Sequence, residues 1–298
     1  MHINKIIVIG SLFVIIGELF FTSMGMIIKT LGENIPSYQL VFYRNIFAVV
    51  ILAPFLFRQR LTHVKTKRLG MHLIRSISGL MAMYCFFYAL ANIELANAML
   101  LKLTGPLFIP IIAIVWIGEH VSMKTVLGIV IGFAGVVVFL NPTGEVQLAA
   151  VVGLIGGALA ALAKVAIRKM SDTEPTARIV FYFALLGALF SSIPAFSSGI
   201  YIPSSSEWAL LLLLGTVGTC GQFFLTKAYK IAPASQVGPF TYSSLLWASL
   251  AGWYFWSELP TLQTLIGAGL IIVAGVILIY RRMPSKRYAQ IKPDRQVL

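Results

Sequence analysis

Charged residues are scarce in this 298-residue chain. Asp, Glu, Lys and Arg together make up 11% of it, against about a quarter of a soluble domain. Acidic residues are the scarcest, with 10 Asp and Glu against 23 Lys and Arg. Hydrophobic residues account for 58% of the chain, and its mean hydropathy is +0.89. This composition excludes an ordinary soluble globular protein.

Motifs of catalysis and of metal binding are also missing. No glycine-rich loop is followed by Lys and Ser or Thr, which excludes ATP as the direct energy source. No GxSxG occurs, and the four histidines do not form HExxH or another metal-ligand spacing. We therefore expect no enzymatic activity, no cofactor and no metal. The two cysteines, Cys85 and Cys220, lie in apolar runs, where a cysteine is usually a small buried hydrophobe.

The chain does contain a series of apolar runs of about 20 residues, the length that crosses the hydrocarbon core of a bilayer as an α-helix. They predict an all-α integral membrane protein of about ten transmembrane helices. The first run has no small-residue cleavage site, so we expect a retained helix rather than a signal peptide. The predicted spans are 6–28, 36–57, 70–91, 95–117, 123–141, 148–168, 176–196, 208–229, 234–256 and 262–280.

The basic residues follow a clear topological pattern. With a cytoplasmic N-terminus, 18 of the 23 Lys and Arg lie on the cytoplasmic side, four lie within spans, and Lys29 alone lies outside. This is the positive-inside distribution of a membrane protein. The net charge of +13 is therefore explained by topology and requires no nucleic-acid partner. We expect a multi-pass protein of the cell inner membrane with both termini in the cytoplasm.

The sequence matches itself without gaps at an offset of 139 residues. Glu119 falls on Glu258, and Gly79 falls on Gly218. Each half holds five predicted spans, and because five is odd the second half enters the membrane from the opposite side. Such inverted repeats are typical of secondary transporters, which bind substrate near mid-membrane between the halves. The predicted divisions are a first repeat at 1–141, a second repeat at 142–282 and a cytoplasmic tail at 283–298.

Several stretches carry a family resemblance. They are FYRNIFAVVILAPF at 42–55, YAL at 88–90, Pro106, GEHVSMKTVLGIVIGFAGVVV at 118–138 and SELPTLQTLIGAGLIIVAGVI at 257–277. In them the chain resembles the drug/metabolite transporter superfamily, specifically its EamA-like ten-helix branch. HLIR at 72–75, FFLTKAY at 223–229 and PFTY at 239–242 are most similar to bacterial S-adenosylmethionine uptake carriers. The resemblance implies a pocket built largely from helices one, three, four, six, eight and nine.

Ionisable side chains within spans are the first candidates for the site, because each costs roughly 2.5–3.5 kcal/mol on insertion scales. Glu18 lies near the middle of the first span. It is either a counter-ion for a substrate ammonium or a proton carrier, or else it forms an ion pair with a neighbouring cation. Lys102 lies in the fourth span and is a candidate for lining the cavity.

The other buried cations have competing explanations. Arg44 is a candidate site residue, although it could instead satisfy backbone carbonyls or helix ends. Arg75 lies near the inner end of the third span and could extend its charge to the cytoplasm. For Lys164 and Lys227, near the cytoplasmic ends of their spans, such snorkelling is the favoured interpretation.

Aromatic and amide side chains complete the candidate site. An aromatic-lined cavity with one acid suits a cationic or amphiphilic metabolite. We predict that Lys102, Tyr242 and Trp247 face one shared cavity. Glu119 and Glu258, by contrast, are expected to be structural, because a carboxylate at a membrane surface can cap a helix N-terminus. The remaining candidates for substrate binding are Tyr43, Tyr88, Phe108 and Gln222.

The predicted function is secondary transport of a small organic metabolite by alternating access, without ATP. The substrate is predicted to be S-adenosylmethionine-like or another cationic or amphiphilic metabolite. An exporter of amino acids or related metabolites is the alternative, and an intramembrane enzyme or a membrane scaffold is less favoured. Coupling to protons, exchange against a second solute and a homodimeric assembly all stay open at the level of sequence.

Overall fold

The computed structural model describes residues 5–58, 65–117, 123–140, 147–170, 173–197, 199, 201–231 and 238–279. Within these ranges all regular secondary structure is helical. The α-helices are α1 Lys5–Leu31, α2 Ser37–Arg58, α3 Leu69–Asn92, α4 Leu95–Lys102, α5 Gly105–Ile117, α6 Met123–Leu140, α7 Leu148–Met170, α8 Thr176–Ser197, α9 Ser205–Ile231, α10 Ser243–Trp256 and α11 Leu262–Ile279, and a 3₁₀ helix, Gly238–Tyr242, precedes α10. The prediction of an all-α membrane protein is confirmed.

Six of these helices are long and apolar enough to cross a membrane. They are α1, α2, α3, α7, α8 and α9, and the shorter apolar helices Leu95–Ile109, Val126–Phe139 and Leu262–Ala274 add further hydrophobic length. Many of their outward side chains are apolar and exposed, among them Val115, Ile193 and Leu262. Exposed apolar surface on this scale fits lipid contact, since hydrocarbon rather than water is then the solvent.

One predicted span is broken where the sequence analysis expected a continuous helix. The span predicted at 95–117 consists of α4 and α5, which are separated at Leu103 and Thr104. Pro106 has no backbone N–H, so it cannot bond the carbonyl of Lys102 and the helix ends there. The Thr104 hydroxyl instead donates to the Leu101 carbonyl at 2.6 Å.

The equivalent span of the second half has an irregularity at the same place. A 3₁₀ helix changes to α10 between Tyr242 and Ser243. These positions lie 139 residues after Leu103 and Thr104. The two half-spans therefore change course at corresponding depths, which is what a duplicated five-helix unit predicts.

Helix packing shows the duplication directly. Exchanging the halves maps α1 onto α7 and α3 onto α9. The contact of α3 with α7 therefore has an equivalent in the contact of α1 with α9, and the structure contains both. Helices α2 and α8 pack against each other, as do α6 and α11, so each of these pairs maps onto itself. The observed packing is therefore symmetric under the exchange of the two halves.

Two glycines show the same symmetry at atomic detail. A Cβ built on Gly17 of α1 would lie 3.4 Å from the carbonyl oxygen of Gly221 in α9. A Cβ on Gly156 of α7 would lie 3.4 Å from the carbonyl oxygen of Ala82 in α3 and 2.8 Å from the Cβ of Cys85. Gly17 and Gly156 are 139 residues apart, and so are their contact residues Ala82 and Gly221. Small residues allow this close approach, which matters because lipid provides no hydrophobic drive for helix association.

The predicted division of the chain at 141–142 stays a prediction. Residues 141–146, which join the halves, lie outside the described residues, as does the predicted tail at 283–298. Glu119, which occupies the position equivalent to Glu258 in the first repeat, also lies outside the described residues.

Candidate functional site

An ion pair lies at the middle of α1. Glu18 is the central residue of that helix and is 1% exposed. One of its carboxylate oxygens lies 2.7 Å from Nζ of Lys102, the last residue of α4. The Lys102 ammonium also lies 4.5 Å from the ring centroid of Phe21, one turn along α1. Of the two readings of Glu18 left open by the sequence, the structure shows the pairing with a neighbouring cation.

A second lysine lies near this pair. Lys164 of α7 interacts electrostatically with both Glu18 and Lys102. Its Nζ would be 3.8 Å from a Cβ built on Gly105, at the start of α5. From the sequence, Lys164 was expected to snorkel to the cytoplasmic surface, and its position near the pair was not predicted. The signal was its position on α7, because Gly153, Gly157 and Lys164 share one helical face.

The pair and Lys164 bring charges from both halves of the protein near one another. Glu18 and Lys102 belong to the first repeat, whereas Lys164 belongs to the second. Removing one partner of a buried ion pair typically costs about 3–5 kcal/mol, because the other charge is left without compensation. The Glu18–Lys102 ion pair therefore holds α4 against the centre of α1 within the first half, and Lys164 lies near it on the other half.

Two arginines form a separate buried cluster. Arg44 of α2 is 1% exposed and Arg75 of α3 is 4% exposed. Their guanidinium carbons lie 5.4 Å and 4.0 Å from the ring centroid of Phe183 in α8. Arg75 donates to the side-chain oxygen of Gln222 at 3.2 Å. Three predicted site residues, Arg44, Arg75 and Gln222, are thus brought together.

Arg44 is held by two further contacts. It donates to the side-chain oxygen of Asn45 at 2.9 Å and to the carbonyl oxygen of Gly218 at 3.1 Å. Asn45 in turn donates to the Val41 carbonyl at 2.9 Å. The alternative reading of Arg44, as a donor to backbone carbonyls, is therefore seen as well, although the carbonyl belongs to the centre of α9 rather than to a helix end.

Three predicted aromatic candidates make contacts away from these clusters. The Tyr43 hydroxyl donates to the Tyr201 carbonyl at 3.1 Å. Phe108 packs edge-on against Phe133 of α6, with 5.4 Å between ring centroids. The Tyr242 hydroxyl donates to the Ile271 carbonyl at 3.3 Å. These three side chains therefore have contacts of their own that do not involve the buried charges.

The other two aromatic candidates are half-buried. Tyr88 lies on α3, and its carbonyl accepts from the Asn92 side chain at 2.7 Å. Trp247 lies on α10, and its indole N–H has no hydrogen-bond partner among the described residues. A shared cavity of Lys102, Tyr242 and Trp247 stays a prediction.

One end of the helix bundle is closed around Glu258. One carboxylate oxygen of Glu258 lies 2.6 Å from Nζ of Lys29, and the other accepts from the backbone N–H of Leu95 at 3.0 Å. Leu95 is the first residue of α4, so Glu258 caps a helix N-terminus in the other half of the protein. A cavity of about 400 Å³ lies here, lined by Lys29, Ala91, Asn92, Ile93, Glu94, Asn97, Gln147 and Glu258.

At the same end, Glu207 forms a second connection. It accepts from the Asn34 side chain at 3.3 Å and from the Tyr201 hydroxyl at 3.1 Å. We refer to Lys29, Glu258, Asn34, Tyr201 and Glu207 as the Lys29-end network. It joins the α1–α2 connection to the second half of the chain.

The opposite end is closed around Glu174, between α7 and α8. Glu174 is 2.8 Å from both the Arg178 guanidinium and the Thr66 hydroxyl, and His72 lies 3.6 Å away. We refer to these four residues as the Glu174-end network. Burial by itself raises the pKa of Glu174, but hydrogen bonds from Arg178 and Thr66 and the positive charge of Arg178 outweigh it. The pKa of Glu174 is therefore held below its ordinary value.

Comparison with known proteins gives a consistent result. The sequence profile described as "EamA-like transporter family" matches twice, at residues 8–141 and 147–281. A pseudopaline exporter of Pseudomonas aeruginosa is 32% identical over 272 residues, which cover 90% of this chain and 95% of that protein. An S-adenosylmethionine uptake transporter of Rickettsia felis is 30% identical over 253 residues, covering 85% and 86%.

Two further similarities extend over most of the chain. An uncharacterised transporter of Helicobacter pylori is 28% identical over 284 residues, covering 91% of this chain and 95% of that protein. One protein crystal structure superposes with a TM-score of 0.63 at 19% identity, covering 90% of this chain and 95% of the other. This structural likeness shows the fold alone. No group of three or more His, Cys, Asp or Glu side chains suited to a metal is found in the part of the chain that the structure describes.

Proposed function

The chain belongs to the EamA-like transporter family, a family of membrane transporters rather than enzymes, and on that premise we propose that it is a secondary transporter working by alternating access. The cargo is a small organic metabolite, and ATP is not consumed. The predicted membership of the drug/metabolite transporter superfamily is confirmed.

The Glu18–Lys102 pair is the observation that carries this proposal. A buried ion pair at the centre of a transmembrane helix is expensive to maintain, which favours a functional use. Lys164, on the other half, lies near enough to interact electrostatically with both groups. A substrate with a positive group would compete with Lys102 for Glu18, and its binding would change the charges that face Lys164 of the other half. This competition would link substrate binding to conformational change.

The two end networks support alternating access. Each network contains residues of both halves. The halves can therefore separate at one end when the network there breaks, while the network at the other end stays intact. The Lys29-end network would close the outer side and the Glu174-end network the inner side. This assignment follows from the distribution of Lys and Arg, which favours cytoplasmic termini in an inner-membrane protein.

The substrate proposed is an S-adenosylmethionine-like or other cationic metabolite, in line with the uptake transporter that is 30% identical. An exporter of amino acids or related metabolites is the second candidate, favoured by the similarity to an exporter. Coupling to protons and exchange against a second solute are the alternatives that the proposal carries for the driving force, and a homodimer is its candidate assembly.

The test is uptake of labelled S-adenosylmethionine and labelled amino acids into proteoliposomes containing the purified protein. Glu18→Gln and Lys102→Gln are expected to reduce transport at least about tenfold, because each leaves one buried charge unpaired. Glu33→Gln is the matched control, since Glu33 is exposed in the connection after α1.

Two outcomes would contradict the proposal. Transport by Glu18→Gln at the wild-type rate and with the wild-type pH dependence would remove Glu18 from the mechanism. A ligand that binds the native state raises its unfolding temperature. If no metabolite of a broad panel stabilises the purified protein in a thermal-shift screen, and no uptake is measured, the transport proposal itself is wrong.

A further inference from the structure

The buried arginines carry more positive charge than their surroundings compensate. Arg44 and Arg75 have no carboxylate within 4.0 Å among the described residues. The ion pairs found there involve other cations, namely Lys29, His72, Lys102 and Arg178. The two guanidinium groups are also close enough to repel each other. An uncompensated pair of charges at this depth is costly unless an anion joins it at some stage.

Their hydrogen bonding is also incomplete. A guanidinium has five N–H donors, yet to the described residues Arg44 donates two hydrogen bonds and Arg75 donates one. The Nε atoms of both arginines are buried and have no hydrogen-bond partner among the described residues. Both side chains are more than nine-tenths buried. The cluster therefore holds unused donors of the kind that bind oxyanions.

The packing around the arginines is formed by symmetry-related residues. Arg44 and Phe183 occupy equivalent positions of the two repeats, as do Gly79 and Gly218. Gly79 lies against Arg75 and Phe183, whereas Gly218 lies against Arg44, so a side chain at either glycine would collide with the cluster. The cluster therefore lies where equivalent parts of the two halves meet, which is where an inverted-repeat carrier binds its substrate.

Helix α1 connects this cluster to the Glu18–Lys102 pair. Phe21 contacts the Lys102 ammonium on one side and lies 3.2 Å from the position of a Cβ on Gly221, the neighbour of Gln222. The sulfur of Met24 lies 3.0 Å from the position of a Cβ on Gly218. Neighbouring side chains of α1 therefore contact both clusters.

We propose that Arg44 and Arg75 bind the carboxylate of the transported metabolite, with Gln222 assisting. Arginine forks match the planar geometry of a carboxylate and can bind it through two parallel hydrogen bonds. The substrate class is then an amino-acid-derived zwitterion, whose carboxylate lies at the arginines and whose positive group lies at Glu18. This inference rests on the proposed transport function, since the ligand reaches the buried arginines when the halves separate.

The first experiment uses the wild-type protein alone, reconstituted in nanodiscs. Its thermal unfolding is followed in rising concentrations of sodium propionate, of sodium chloride at equal ionic strength, and of propionamide, the neutral analogue. Propionate is expected to raise the unfolding midpoint in a concentration-dependent way, and chloride and propionamide are not. Equal midpoints in propionate and chloride would overturn the proposal without any need for variants.

The second experiment assigns the effect to the arginines. Arg44→Gln and Arg75→Gln are expected to lose the propionate shift, and Arg75→Lys to weaken it, because lysine keeps the charge without the fork. Arg68→Gln is the matched control, since Arg68 is exposed at the start of α3. A wild-type propionate shift in either buried variant would show that the arginines only anchor helices.

Transport measurements separate this inference from the proposed function. If labelled S-adenosylmethionine is carried, the KM of Arg75→Gln is expected to rise about ten- to hundredfold, the effect of losing a charged hydrogen bond. An unchanged KM in that variant would overturn the carboxylate site while leaving transport intact. An arginine-dependent propionate shift without transport of any metabolite would leave the anion site standing and remove the proposed function.

Discussion

At the scale of single residues, the buried charges differ in how they are compensated. Glu18 and Lys102 neutralise each other at 2.7 Å. Arg44 and Arg75 have neutral partners and an aromatic ring in common. A neutralised pair stabilises one arrangement of helices, whereas an uncompensated pair favours binding of a counter-ion. The difference comes from which side chains the fold brings within contact, and residue type alone does not reveal it.

Glu174 gives a prediction of pH dependence. Its pKa is lowered in the folded protein, so its contribution to stability is complete above the ordinary value of 4.5 and is lost as the pH falls through the lower, folded value. Glu174→Gln is expected to cost about 1–3 kcal/mol at neutral pH, because the bonds to Arg178 and Thr66 involve a charge. The measurement is the thermal unfolding midpoint against pH.

The matched comparison for this prediction is Glu33→Gln, at an exposed acid. The difference in midpoint between wild type and Glu174→Gln should shrink as the pH falls below 4.5 and be lost at the lower, folded pKa, where the folded carboxylate takes up its proton. His72 and Arg178, the other ionisable groups of the Glu174-end network, are present in both proteins. A difference that stays constant down to strongly acidic pH would contradict the assignment.

At the scale of helices, the irregularities are as informative as the regular parts. The fourth span is interrupted before Gly105, and the ninth changes from 3₁₀ to α geometry at the equivalent depth. The interruption places Lys102 at a helix end, where its ammonium reaches Glu18. Glycines then determine how near the neighbouring helices come, as Gly17 and Gly156 show.

Gly156 provides the test of this packing. A Cβ there would lie 2.8 Å from the Cβ of Cys85, so Gly156→Ala is expected to separate α3 from α7 and to cost about 1–3 kcal/mol. At the equivalent Gly17 the nearest atom would be 3.4 Å away, an ordinary contact, so Gly17→Ala should have little effect. The measurement is the thermal unfolding midpoint of each variant in the same detergent.

Cys85→Gly is expected to restore part of the loss, because it removes the atom that the new methyl group meets. A double variant, Gly156→Ala with Cys85→Gly, should therefore be more stable than the sum of the two single changes predicts. Strict additivity would mean that Gly156 is required for another reason.

At the scale of the whole molecule, the dominant feature is the inverted repeat, in which the two halves have equivalent helices but opposite orientations in the membrane. The Lys29-end and Glu174-end networks each tie one half to the other, but they are built from different residues. Glu258 reaches the first turn of α4, whereas Glu174 is bonded to Thr66 before α3. Two ends that are closed by different bonds can be opened separately, which is what alternating access requires.

The proposed orientation leads to a labelling prediction. In a background of Cys85→Ala and Cys220→Ala, Glu33→Cys should react with a membrane-impermeant maleimide in intact cells, and Lys67→Cys should react only after permeabilisation. Both positions are exposed. Glu33 follows the C-terminus of α1 and Lys67 follows the C-terminus of α2, so one membrane-crossing helix separates them. The reverse pattern would place the N-terminus outside and contradict the topology derived from the basic residues.

Much of this protein was determined by the sequence itself. Apolar length specifies helices because every backbone polar group must be satisfied within the hydrocarbon. The 139-residue offset, with an odd number of spans per half, specifies the inverted duplication. The capping role expected for Glu258 was likewise readable, since a carboxylate beside a helix N-terminus is favourable. The buried ionisable residues were also found, because an apolar background makes each of them conspicuous.

Only the tertiary structure decided which of these residues meet. Glu18 pairs with Lys102 across 84 positions of the chain, and Arg75 meets Gln222 across 147. The position of Lys164 beside the pair and the absence of an acid near the arginines, within the part of the chain that the structure describes, depend on helix rotation and on glycine contacts. Periodicity gives the face that a residue occupies along its own helix. It does not give the partner helix, and in a bilayer that choice is made by close packing and by hydrogen bonds between helices.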